Sequence, residues 1–285
     1  MPTIPPAAAG GMVVGWCPGG AAGDGRRAWG LVLAEGTAMV VVRETGVWVR
    51  RFHPASQPAA RLVCFPPAGG SASHFYPVSR VMGPEVDVVC LQYPGRQDRS
   101  GEPPLDTVAA FADEIATALE PWTGVRLILF GHGLGATIAY ETARRLEAAG
   151  VAVAALIVSG RRGPTTFRDE RMHQLDDDQL LAEARCLSEL GDALLDDGIA
   201  RAVLPALRAG HHAAETYRHT SGEPLRCPVT VLIADADPVV TVAEAKDWEA
   251  HTTGPFQLTV FPGSRFSPPD RLQEVAAAVR AHVAS

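Results

Sequence analysis

From Trp48 onward, short apolar runs alternate with segments of helical period, and this alternation constrains the fold more than any other feature of the sequence. The strand-like runs read RLVCF, VDVVCL, RLILF, AALIVS, VTVLIA and FQLTVF. Parallel strands that are connected and covered by helices give such a pattern, because both faces of the sheet are buried. The sequence therefore predicts an α/β fold with a mostly parallel central sheet flanked by helices.

Two regions depart from this alternation. Residues 1–46 are rich in Ala, Gly and Pro and have no sustained hydrophobic period, which predicts a flexible N-terminal extension. Residues 47–285 then form one domain, since a chain of this size buries a single large core. Within that domain the strand signals stop between about 164 and 220, where charged, Leu-rich helical segments take over. We expect this insertion to be a helical lid above the strand ends.

Composition and charge exclude several classes of protein. Every apolar run is shorter than the roughly 18 residues of a membrane helix, and the N-terminus lacks the pattern of a secretion signal. We therefore expect a cytoplasmic protein that does not enter a membrane. The net charge of −7 argues against nucleic acid as a partner. This charge leaves room for a local basic patch that would suit an acidic partner, from Arg161 with Arg162 or from Arg96 with Arg99, although surface arginines are more often simply solvated.

Metal and cofactor signatures are missing from the sequence. The five cysteines form no CxxC pair, and the dinucleotide pattern GxGxxG is not met. We expect no disulfide, no metal and no cofactor.

The segment LILFGHGLGATIAYE contains the most informative turn of the chain. An apolar strand runs into a frame of small residues, Gly131 and Gly135, and then into a helix. This setting is typical of a nucleophile elbow, in which the central residue projects its side chain into the active site. The central residue here is Gly133, which carries no nucleophile. Taken alone, the segment is also compatible with a tight strand-to-helix turn or a phosphate-binding loop.

Further motifs distinguish between these alternatives by their order along the chain. They are FPPAGGS (65–71), QYPGRQDR (92–99), FGHGLGATIAYE (130–141), SGRRGP (159–164), DADP (235–238), HTTGPF (251–256) and FPGSRF (261–266). In this order and spacing, the chain resembles the type II thioesterases from about Trp48 to its C-terminus. The resemblance implies an α/β-hydrolase fold. It also implies a role in polyketide or nonribosomal peptide biosynthesis, on acyl intermediates held by the phosphopantetheine arm of a carrier protein.

Members of that family use a serine, a histidine and an aspartate as a catalytic triad. By the resemblance, Gly133 stands at the serine position and Arg265 at the histidine position, and Asp237 alone is retained. An arginine with a pKa above about 12 does not take up a proton near neutral pH, so we expect ordinary acyl-enzyme hydrolysis to be lost.

Two of the remaining polar residues each admit two interpretations. Arg265 either forms a salt bridge with Asp237, in place of the histidine-aspartate pair, or presents its charge to a substrate carboxylate or developing enolate. His132 is either a packed, hydrogen-bonded side chain beneath the site or a catalytic group.

An oxyanion hole needs only backbone amides, which the resemblance places at Ala68 and Leu134, so the loss of the serine leaves it intact. Three hypotheses for function remain. The first is a non-hydrolytic step, such as cyclisation, dehydration, aldol-type closure or isomerisation, on an acyl or carrier-bound intermediate. The second is binding of the acyl group or carrier protein without chemistry. The third is weak thioester hydrolysis, or an inactivated form of a true thioesterase.

Overall fold

The computed structural model describes residues 29–31, 40–44, 46–186 and 196–283, and nine strands lie among them. They are β1 (Trp29–Leu31), β2 (Val40–Glu44), β3 (Val49–Arg51), β4 (Ala60–Phe65), β5 (Val86–Leu91), β6 (Arg126–His132), β7 (Val153–Ser159), β8 (Val229–Ala234) and β9 (Phe256–Phe261). Their order in the sheet is β1-β2-β3-β5-β4-β6-β7-β8-β9. Strands β4 to β9 are parallel and β1 to β3 pair antiparallel, which confirms the mostly parallel sheet.

Helices cover both faces of this sheet. They are α1 (Tyr76–Met82), α2 (Val108–Leu119), α3 (Leu134–Ala148), α4 (Asp177–Cys186), α5 (Asp197–Thr216), α6 (Val242–Lys246) and α7 (Leu272–Arg280). One apolar cluster joins the sheet to α2 and α3, through side chains such as Phe111 and Ile138. A second joins the opposite face to α1 and α7, through Val78 and Val279. The chain is therefore a three-layer α/β domain, as its alternating pattern predicts.

The central strands owe their mostly apolar sequences to this burial. Every residue of β5 and of β8 is buried, because each strand is covered from both faces. By contrast, β9 lies at the edge of the sheet and none of its residues is fully buried.

The winding of the chain reverses at β4, which has β5 on one side and β6 on the other. Connections from the two strands therefore leave in opposite directions and open a crevice beyond their carboxyl ends, where open α/β sheets bind ligands. The last paired residues of β4 and β6 are Phe65 and Gly131. The two glycine-rich loops that follow these residues therefore begin side by side.

The predicted helical insertion is confirmed between β7 and β8, where α4 and α5 lie. The two helices share a small apolar cluster that includes Leu180, Leu204 and Leu207. Asp196 caps α5 by accepting a hydrogen bond from the Ile199 amide at 2.9 Å. A Cβ added to Gly210 of α5 would lie 3.1 Å from Cα of Ala68, so α5 packs directly over the loop after β4.

Part of the predicted N-terminal extension is strand. For β1 and β2 the structure shows ladder pairing in place of a flexible chain, because β2 satisfies the hydrogen-bonding edge of β3. The other residues of that range up to 45 lie outside the described ones, and for them the flexible extension stays a prediction. Among the described helices, none combines the length and apolar character needed to cross a bilayer.

Candidate active site

The elbow of the site is the junction of β6 and α3. Gly133 is the N-cap of α3 and has φ 55° and ψ −123°, a combination that costs a residue with a Cβ about 1–3 kcal/mol. Its amide donates to the Ser159 carbonyl oxygen at 3.0 Å. The turn therefore keeps the backbone conformation of a nucleophile elbow although the nucleophile is absent.

The space that a nucleophile would fill is also present. A Cβ built on Gly133 meets Cβ of Pro67 at 3.4 Å and Cα of Pro67 at 3.9 Å, which are ordinary contacts. Gly135 differs, since its Cβ would lie 2.6 Å from the backbone carbonyl carbon of Phe65. Glycine is required at 135 because α3 approaches β4 closely there. At 133 the structure has room for a side chain, and the glycine leaves that room unfilled.

The two residues whose backbone amides are predicted to form an oxyanion hole follow the ends of β4 and β6. Leu134 opens the first turn of α3, whose N–H groups have no acceptor within the helix. Ala68 lies in a turn that is closed by the Gly70 amide, which donates to the Pro67 carbonyl oxygen at 3.0 Å. Ala68 and Leu134 are both buried, in the crevice where β4 and β6 end. Their role as an oxyanion hole stays a prediction.

His132, directly before the elbow, is a buried and hydrogen-bonded side chain. Its Nδ1 lies 2.9 Å from Oγ of Ser159, and its ring stacks on His74 with 5.7 Å between the ring centroids. Burial lowers the pKa of His132 well below its usual value, and the charges of His74 and Arg265 lower it further. The imidazole is therefore neutral near pH 7, and its contacts favour the structural interpretation of this residue.

Asp237 and Arg265 occupy adjacent loops, after β8 and β9. The loops are joined by the Ala236 amide, which donates to the Gly263 carbonyl oxygen at 3.0 Å. Asp237 is buried, and its Oδ1 accepts from the amides of Val239 and Val240 at 2.8 and 3.3 Å. The pairing of Asp237 with Arg265 stays a prediction. The charge of Arg265 contributes to lowering the pKa of His132.

His74 is a candidate site residue that sequence reasoning missed. It follows the Ala68 turn, in a short 3-10 helix, and is half-buried. No motif spacing connects position 74 with position 132, because the stacking of the two rings arises from tertiary packing. Its position between two motifs shared with the type II thioesterases, FPPAGGS and QYPGRQDR, is the one sequence feature that points to it.

A crevice at the reversal point of a parallel sheet, an elbow between β6 and α3 and a helical insertion after β7 define the α/β-hydrolase class. The thioesterase domain family matches residues 60–283 of this chain. The protein belongs to the thioesterase family.

Particular relatives place it closer to the type II thioesterases. Thioesterase PikA5 of Streptomyces venezuelae is 47% identical over 243 residues, which are 84% of this chain and 86% of PikA5. A probable cadicidin biosynthesis thioesterase of Streptomyces griseus is 49% identical over 220 residues, 77% of this chain and 61% of that protein. The solved structure of the type II thioesterase BorB from the borrelidin biosynthetic cluster has a TM-score of 0.81 and 40% identity, covering 84% of this chain and 99% of BorB. The resemblance to type II thioesterases is confirmed.

The depressed pKa of His132 predicts a loss of stability on mild acidification. As pH falls through about 6.5, the unfolded chain protonates this histidine while the folded chain does not, so the free energy of unfolding decreases. One such group contributes at most about 1.4 kcal/mol per pH unit. His132→Asn should therefore show a shallower dependence than the unsubstituted protein in urea titrations at pH 7, 6 and 5.5. Equal slopes would contradict a neutral, buried His132.

Proposed function

We propose that this protein binds an acyl thioester on the phosphopantetheine arm of a carrier protein, in polyketide or nonribosomal peptide biosynthesis, and catalyses a non-hydrolytic step on it. The candidate steps are cyclisation, dehydration, aldol-type closure and isomerisation. The observation that carries the proposal is the elbow at Gly133, which retains the active-site backbone conformation without a nucleophile. The biosynthetic setting is supported by the names of its relatives.

The chemistry follows from what the site retains. Two amides, of Ala68 and Leu134, would polarise the thioester carbonyl and stabilise negative charge on its oxygen. Without a serine, that charge develops on an enolate instead of a tetrahedral acyl-enzyme intermediate. Arg265, on the loop at the histidine position, would add electrostatic stabilisation, since its guanidinium stays charged.

An enolate requires a base, and His74 is the residue to which we assign this role. In the proposed step the imidazole of His74 takes a proton from the carbon next to the thioester carbonyl, and the electrons of that C–H bond move onto the carbonyl oxygen. His132 is less suited because the whole residue is buried, whereas His74 is half-buried, with its Nε2 atom on the inner side. Returning the proton at another position gives isomerisation, and expelling a β-hydroxyl group gives dehydration.

Binding without chemistry is the second candidate. It is favoured by Asp237, one oxygen of which is engaged by the amides of Val239 and Val240. A carboxylate held in this way caps its own turn and contributes less to any reaction. The protein would then shield an acyl intermediate or a carrier protein.

Intact mass measurement of an acyl-loaded carrier protein, incubated with this protein in D2O, separates the candidates. Incorporation of deuterium into the acyl group, or loss of water from it, is the expected result. Loss of the whole acyl group would contradict the proposal and indicate hydrolysis. An unchanged mass together with complex formation would leave the binding function.

Replacing His74 should remove the proton transfer and leave the fold intact. We expect His74→Phe to slow deuterium incorporation about 10²- to 10⁴-fold, the usual contribution of a general base, with a comparable melting temperature. The matched control is His282→Phe. His282 is half-exposed and contacts Thr230 at 3.0 Å, near the amino end of β8 and away from the site. Exchange that persists in His74→Phe would contradict the assignment of this base.

A further inference from the structure

A polar cavity of about 170 Å³ lies between the loop after β7 and the C-terminal end of the lid helix α5. Its lining includes Thr137, Arg161, Arg168, Ala214 and Arg218. Thr137 lies four residues after Gly133, one turn along α3, or roughly 6 Å of helix rise. The cavity and the elbow therefore share α3 as a wall, about one helical turn apart.

Arginines dominate the charge of this cavity, and four of them line it. Two are neutralised by ion pairs, Arg162 with Glu170 and Arg168 with Glu244, both at 2.6 Å. Arg161 donates to Oγ1 of Thr137 at 3.0 Å and to the Ala214 carbonyl oxygen at 3.1 Å. These contacts fix its guanidinium between α3 and α5.

Arg218 is the one of the four that is exposed to solvent. Its hydrogen bonds go to the carbonyl oxygens of Glu215 and Tyr217, both at 2.8 Å, and its guanidinium lies 3.7 Å from the centroid of the Phe167 ring. A guanidinium stacked on an aromatic face keeps its edge open, and that edge presents paired N–H groups to a planar anion.

The one carboxylate in the lining, that of Glu215, does not cancel this charge. It accepts from the amides of Met172 and His173 at 2.9 and 3.3 Å and is paired with the His173 ring. Its oxygens are thereby directed towards the segment before α4. The wall nearest to Thr137 carries the guanidinium of Arg161.

We propose that this cavity binds a small oxyanion, specifically the carboxylate at the tip of the acyl group whose thioester lies at the elbow. The inference rests on the proposed function for the position of the thioester. The volume corresponds to about five or six water molecules at roughly 30 Å³ each, which suits a short chain ending in a carboxylate. The substrates would then be dicarboxylic acyl thioesters, such as a succinyl group, in preference to acyl groups with an apolar tip.

Affinity for two thioesters of the same chain length tests this assignment. In calorimetric titrations we expect succinyl-pantetheine to bind about 10- to 100-fold more tightly than butyryl-pantetheine, the usual effect of a charged hydrogen-bonding pair. Arg218→Gln should abolish that preference. The control Arg226→Gln should keep it, because Arg226 precedes β8 at the opposite end of the sheet and its side chain is 72% exposed.

The phosphate of phosphopantetheine is the alternative source of the anion. Butyryl-phosphopantetheine is therefore the third compound to be titrated, because it carries the phosphate and lacks the carboxylate. If Arg218→Gln reduces the gain from the phosphate and leaves the succinyl preference intact, the carboxylate assignment is wrong. Equal affinity of the unsubstituted protein for the succinyl and butyryl compounds would also overturn it. Because binding is measured without turnover, a preserved succinyl preference with no deuterium exchange would remove the proposed catalysis and leave the carboxylate site standing.

Discussion

Joint replacement of Gly133 by serine and Arg265 by histidine should give the protein thioester hydrolysis at least about 10³-fold faster than the unsubstituted chain. The backbone of the elbow already has the conformation that a nucleophile needs, and Pro67 leaves room for the serine side chain. Histidine at 265 would supply the base, on a loop adjacent to that of Asp237. The residues of a triad act as a unit, so each single substitution should give a far smaller increase.

The double variant has a distinct chemical signature. A serine activated in this way becomes acylated, so the intact protein should gain the mass of an acyl group when it is incubated with an acyl thioester. The gain should be absent with Gly133→Ser alone. We also expect serine at 133 to cost about 1–3 kcal/mol of stability, because of the backbone conformation at this position. A folded double variant that neither acquires an acyl group nor hydrolyses the thioester would show that Asp237 and position 265 do not have triad geometry.

The sheet could be predicted from the sequence because its central strands are buried on both faces. Burial of this kind makes strands such as β5 and β8 mostly apolar, and the helices between them show the 3.6-residue hydrophobic period of an amphipathic helix. The edge of the sheet was harder to predict. Strand β2 reads VVVRE, but it lies in an N-terminal region that is otherwise rich in Ala, Gly and Pro, and its place in the sheet is identified by its pairing with β3.

The parts of the site whose geometry is fixed by the order of elements along the chain could be predicted. The parts whose geometry is fixed by tertiary packing could not. The elbow at Gly133 follows from a strand, a glycine frame and a helix in succession. The stacking of His74 on His132 joins residues 58 positions apart, through the packing of a 3-10 helix against the end of β6. No local pattern encodes such a contact. For Arg265 and Asp237, the sequence predicts adjacent loops, which the structure has, and a salt bridge, which stays a prediction.

Gly135→Ala should be the most destabilising single substitution that we propose, with a loss of about 3 kcal/mol or more and impaired folding as an expected consequence. The added methyl group would lie 2.6 Å from the Phe65 carbonyl carbon and from the Pro66 carbonyl oxygen, and closer still to the Phe65 oxygen. These are backbone atoms at the end of a central strand, and they cannot rotate out of the way as a side chain can. To admit the methyl group, α3 and β4 must separate.

That separation would act on the site as well as on the fold. Phe65 is in register with Gly131 and directly precedes the loop that carries Ala68, so the two predicted oxyanion amides lie on the two elements that must move apart. The control is Gly101→Ala, at an exposed position where an added Cβ meets nothing within 4 Å, and it should change stability by less than about 0.5 kcal/mol. Chemical denaturation measures both losses. If Gly135→Ala were as stable as Gly101→Ala, the close approach of α3 to β4 would be wrong, and so would the oxyanion site that depends on it.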